Sequence, residues 1–115
     1  MVVAFGLGCG GSGVELDESG EHFVAAQQAL AEGNREKAMA ELTAAIKAGP
    51  DPWAYYQRAK LYSDAGDEKA ALADCEAGLK IDPENTSLKW LQGELKKPKA
   101  KRFKGKFAKP PIETK

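Results

Sequence analysis

Few residues in this 115-residue chain have the type and spacing to do chemistry. The first candidate is Gly6-x-Gly8-x-x-Gly11, which follows the apolar run Val2–Phe5. A dinucleotide site uses this spacing between a strand and a helix whose N-terminus meets the pyrophosphate. Here the glycines run into GSGVELDESGE, which has no helical periodicity until about residue 21, and no second strand follows. The pattern is therefore not read as a nucleotide site. The single histidine, His22, and the cysteine Cys75, which lies in an apolar helical pattern, do not make a metal site. Cys75 reads as a small buried hydrophobe. No nucleophile–base pair emerges, and the acidic residues are scattered over helix surfaces. The expectation is a protein that is not an enzyme and has no cofactor and no metal.

Cys9 is the remaining reactive group. The stretch FGLGCGGSG, with Leu7 and Gly8 just ahead of Cys9, resembles the cleavage region of a bacterial lipoprotein signal. That resemblance implies lipidation at the Cys9 thiol, with GGSGVELDESG as a flexible tether. It also implies a protein lipid-anchored on the periplasmic side of a bacterial cell envelope. A complete signal has a basic start and a longer apolar core, so such residues are expected ahead of Met1. The alternative is a cytoplasmic leader with an incidental cysteine. No stretch reaches the roughly 18 apolar residues of a spanning helix.

Charge divides the chain. It has 17 basic and 17 acidic residues in all. Residues 1–95 hold 8 Lys/Arg against 16 Asp/Glu, a balance of −8, and residues 96–115 hold 9 against 1, a balance of +8. In the tail, Phe103 and Phe107 interleave with Lys101, Arg102, Lys104 and Lys106, and Pro98, Pro110 and Pro111 oppose helix. A segment of this kind can meet an anionic membrane or an envelope polymer, and it can also rest on the protein's own acidic body. Nucleic acid is not expected as a partner in an envelope; it belongs to the alternative, a cytoplasmic nucleic-acid-associated adaptor using the basic tail.

The elements that must position these residues come from an internal repeat. EGNREKAMAELTAAIKAGPD (32–51) aligns without gaps with AGDEKAALADCEAGLKIDPE (65–84) at a spacing of 33 residues. Gly33 and Gly66 suit a positive φ at a helix end. Asn34 and Asp67 can cap the next helix. Met39, Leu42 and Ile46 share one helical face, as do Leu72, Cys75 and Leu79. Ala38 and Ala71 permit close helix approach, and Pro50 and Pro83 stop the second helices. Ahead of each glycine, 21–32 and 53–65 read as first helices, and 86–97 reads as a fifth, capped by Asn85 or Thr86.

This arrangement resembles the tetratricopeptide repeat family, whose pattern W-x2-L-G-x2-Y…A-x3-F…P meets Tyr55, Ala59, Tyr62, Ala71, Cys75 and Pro83. Arg58 stands where the pattern has Leu. In the first repeat Ala25 and Ala29 replace larger residues, which predicts a thinner packing layer. The expected fold is all-α: two helix-turn-helix tetratricopeptide-like repeats plus a C-terminal capping helix, a short α-solenoid. Three regions follow: residues 1–18 (signal remnant and tether), 19–97 (helical domain) and 98–115 (basic disordered tail). A monomer or weak oligomer is expected. The resemblance implies protein binding: the first helices line a concave groove for a protein or peptide, and its residues here would include Phe23, Gln27, Trp53, Tyr56, Gln57 and Lys60.

Overall fold

The computed structural model describes residues 17–104 and 109–110. Cys9, the glycine pattern, Lys106 and Phe107 lie outside them. Among the described residues there are five α-helices and no strand: α1 Glu18–Ala31, α2 Arg35–Ala48, α3 Pro52–Asp64, α4 Glu68–Ile81 and α5 Thr86–Leu95. A short 3-10 turn, Lys99–Lys101, follows.

The helix starts have visible causes. Each of the five N-cap side chains accepts a backbone N–H of the first turn: Asp17 from Gly20, Asn34 from Lys37, Asp51 from Trp53, Asp67 from Ala70 and Asn85 from Leu88. Pro52 opens α3, where its missing N–H costs nothing. α1 begins three residues before the apolar periodicity does, because Asp17 caps a polar first turn that carries no hydrophobic signal.

The turns within each helix pair are built alike. Gly33 has φ +77° and Gly66 φ +87°. Asn34 N–H donates to the Ala29 carbonyl at 2.8 Å, and Asp67 N–H donates to Tyr62 at 2.9 Å. These bonds, with those of Gly33 to Leu30 and Gly66 to Ser63 at 3.0 Å, close a Schellman motif at both sites.

α1 packs chiefly on α2 and α3 on α4; α2 also meets α3, and α4 and α3 both meet α5. The buried residues form two clusters. The first joins Ala26, Ala29, Ala38, Leu42, Ile46, Ala54 and Leu61; the second joins Tyr56, Ala59, Ala71, Cys75, Leu88, Leu91 and Leu95. Ala26, Ala29 and Ala38 are fully buried in the first cluster beside the larger Leu42 and Ile46. The second is closed by α5, where burial of Leu88 and Leu91 contributes about 2 kcal/mol for each side chain. α5 thus covers an apolar surface that the second repeat could not bury alone.

Residues 98–104 turn back onto the helices through Arg102 and Phe103, because two acidic side chains there meet the basic segment, as described next.

Candidate functional site

Two cavities open on one face of α3. Trp53, Tyr56, Lys60, Ser63 and Asp64 recur at spacings of three and four and so share that face. The first cavity, about 450 Å³, lies between the starts of α1 and α3 and is lined by Ser19, Gly20 and Phe23, by Gly49, Pro50 and Asp51 of the connecting turn, by Trp53 and Ala54, and by Asp17. Trp53 is 41% exposed, which is unusual for so large an apolar side chain. Its ring meets Tyr56 edge-on, with centroids 5.9 Å apart. Two acidic side chains, Asp17 and Asp51, stand at the rim, each with one oxygen engaged in capping.

The second cavity, about 240 Å³, lies between α3 and α5. Lys60, Ser63 and Asp64 line one side, Trp90 and Leu91 another, and Phe103, Lys109 and Pro110 of the tail close it. The ring of Phe103 packs on Trp90 at 5.5 Å. Arg102 forks onto Glu68, with Nη1 to Oε2 at 2.9 Å and Nη2 to Oε1 at 3.2 Å. It also donates to the carbonyls of Lys97 and Leu95, each at 2.8 Å. The Phe103 backbone N–H donates to Glu94 Oε1 at 2.6 Å, and the Lys97 ammonium donates to Oε2 of the same carboxylate at 2.6 Å. Lys97, then the Phe103 N–H, hold the Glu94 carboxyl below its usual range, and Arg102 does the same to Glu68.

The predicted groove residues fall in different settings. Phe23 and Trp53 come together at the first cavity. Lys60 is exposed at the second, with its ammonium 5.7 Å from the Tyr56 ring centroid. Tyr56 is only 5% exposed and belongs to the second core cluster, so it is a packing residue and lines neither cavity. Its hydroxyl pKa is raised by burial and by Cys75. Gln27 and Gln57 are half-buried, and Gln27 Nε2 is shielded from solvent without a hydrogen-bond partner. Of the predicted tail residues, Lys101, Phe103 and Lys104 are exposed, Phe103 with its ring against Trp90, whereas Arg102 is half-buried on Glu68. The sequence reading does not single out Trp90, Glu94 and Glu68 as a landing site. Its signal for them is the opposed charge of body and tail, which permits docking without saying where.

Residues 54–85 match the family model for the tetratricopeptide repeat. The chain carries a tetratricopeptide repeat. The match runs from α3 through α4 to the cap of α5. No match to a curated protein or to a solved structure was found. A tetratricopeptide repeat is in general a protein-interaction unit, and this one lines the first cavity through Ala54 and the second through Lys60, Ser63 and Asp64. Within it, Arg58 occupies the place of the family's Leu and pairs with Asp74. Cys75 is fully buried and its thiol is pushed up to about 12, first by burial and then by Asp74 and Glu76. A thiol so held stays protonated at neutral pH and is a poor nucleophile. Among the described residues no cluster of three or more His, Cys, Asp or Glu could hold a metal ion. No described helix is long and apolar enough to cross a membrane.

Proposed function

We infer that this protein is a non-enzymatic interaction module that holds a protein or peptide segment against the face formed by α1, α3 and α5. One observation carries the reading: Trp53 is exposed and lines a cavity together with Phe23 and Ala54. A large, stiff aromatic side chain at a concavity is the usual content of an interface anchor. The acidic rim of Asp17 and Asp51 favours a segment that brings cationic side chains.

The setting that fits the Cys9 region is a lipid-anchored scaffold or assembly partner in a bacterial envelope. An anchor at Cys9 would leave the helical domain displayed on a tether. Its test is fractionation of the protein made with its native upstream region: Cys9→Ser should lose the membrane association, and equal association of both forms would end this part of the reading.

The groove is tested by selecting peptides from a random display library against the Cys9→Ser chain. Binding of the selected peptides should fall at least tenfold in Trp53→Ala and in Phe23→Ala. It should be unchanged in Glu76→Lys, which alters an exposed residue of α4. Selected peptides that ignore both aromatic substitutions would overturn the groove.

A further inference from the structure

The α5 end of the same face already has an occupant, and the contacts show how it is recognised. Arg102 is withdrawn from solvent, its side chain 13% exposed, and its guanidinium is bonded in parallel to Glu68. A planar fork on a carboxylate is geometrically selective in a way that a lysine is not. The Phe103 ring sits on Trp90, and the Phe103 N–H is read by Glu94, whose side chain is only 3% exposed. Further along, Lys109 and Pro110 line the second cavity, as do Lys60 and Asp64. One ring, one guanidinium and one backbone N–H each have a fitted receiver, as a bound peptide would. Phe103 is the one described non-glycine residue with a positive φ, +56°. That backbone state is disfavoured for a residue with a side chain and persists only where its surroundings impose it.

We propose that the tail is a built-in ligand of the α5 end of this face and of the start of α4 beside it, with Arg102–Phe103 seated on Glu68, Glu94 and Trp90, and that it must leave before a cationic–aromatic partner segment can occupy the α5 end of the groove. The proposal rests on the groove reading above and extends it to partner chemistry and regulation. Because the occupant is tethered, it competes at an effective concentration of about millimolar. The resting chain is therefore closed at the α5 end and open at the Trp53 end. A partner able to replace the Arg102–Phe103 contacts gains the whole length of the face.

The test uses the full chain carrying Cys9→Ser and a labelled synthetic peptide with the sequence of residues 98–110 as the probe. A second protein adds Arg102→Ala and Phe103→Gly; the glycine suits the positive φ, so the change removes the ring without straining the turn. This released form should bind the probe at least tenfold more tightly than the parent. Adding Glu94→Ala, or separately Trp90→Ala, should remove that gain, with melting curves confirming that the helices persist. Amide exchange supplies a measure independent of any probe: the Phe103 N–H should be protected in the parent and lose protection in Glu94→Ala, which removes its acceptor. Equal probe affinity in parent and released forms, or an unprotected Phe103 amide in the parent, would overturn the proposal. Failure here with Trp53-dependent library peptides intact removes only the tail occupant. Loss of the library peptides with probe binding intact removes only the groove reading at the Trp53 end.

Discussion

Arg58 grips Asp74 with both ends of its guanidinium, Nε to Oδ2 at 2.8 Å and Nη2 to Oδ1 at 2.8 Å. The pair joins the two helices of the matched repeat, with side chains 17% and 7% exposed. Arg58 also lies 5.9 Å from the Tyr55 ring centroid and 5.6 Å from that of Tyr62, and it reaches Thr43 of α2 at 3.2 Å. A charged residue at the family's Leu position is tolerated because a partner on the next helix neutralises it. Asp74→Ala should therefore strand the guanidinium and cost about 3 kcal/mol, the size expected when one half of a largely buried pair is removed. The double variant Arg58→Leu with Asp74→Ala should recover most of that loss. Urea unfolding of the wild type, both single variants and the double variant measures the coupling; additive single effects would mean that the pair does not act as a unit.

Two helical glycines should respond in opposite directions. A Cβ on Gly78 would lie 2.6 Å from Leu88 Cδ1 and 3.2 Å from Tyr55 Cβ, and Leu88 is fully buried. Gly78→Ala should thus overpack the α3–α4–α5 junction, for a net loss of about 1 kcal/mol after the gain in helix propensity. Around Gly93 a Cβ meets nothing within 4 Å. Gly93→Ala should stabilise by roughly 0.5–1 kcal/mol. Thermal midpoints shifted in the same direction by both substitutions would contradict the close approach at Gly78.

The Cys75 thiol should be silent in the folded protein. With Cys9→Ser in place, a disulfide reagent at pH 8 should label Cys75 only as fast as the second helix pair opens, and at once in denaturant. Burial and the raised pKa act together: the thiolate is scarce and the reagent cannot reach it. Prompt labelling of the native protein would show that the α3–α4–α5 core opens readily.

Docking of the tail should weaken in acid. Glu94 and Glu68 are both held below the usual 4.5, by Lys97 with the Phe103 N–H and by Arg102 with Lys99. A carboxyl depressed by its partners contributes to docking fully above its ordinary pKa, and that contribution is lost as pH falls through the lowered value. The Phe103 amide should therefore stay protected at pH 6 and lose protection progressively below about pH 4. Added salt should weaken the exposed Lys99–Glu68 contact more than the shielded fork of Arg102. Acid-independent protection of Phe103 would detach these carboxylates from the docking.

Local features of the fold are legible in the sequence because they are written in single residues. The two glycines at positive φ, the Asn34 and Asp67 caps, the small Ala38 and Ala71, and the stop at Pro83 each impose a nearest-neighbour constraint that repeats at a fixed spacing. Exposure is less legible: Trp53 and Tyr56, three residues apart on one helix, read alike, yet one faces solvent and the other is core. That difference depends on α5, whose Leu88 and Leu91 belong to the same buried cluster as Tyr56. The compensation of Arg58 by Asp74 is equally hidden, since a carboxylate 16 residues away becomes a partner only when two helices pack. The tail shows the divide most clearly. The sequence by itself determined that a basic segment follows an acidic body, because net charge is a sum over residues. Only the tertiary structure decided where that segment lands, because Glu68 and Glu94 come from different helices and meet one arginine–phenylalanine step through packing alone.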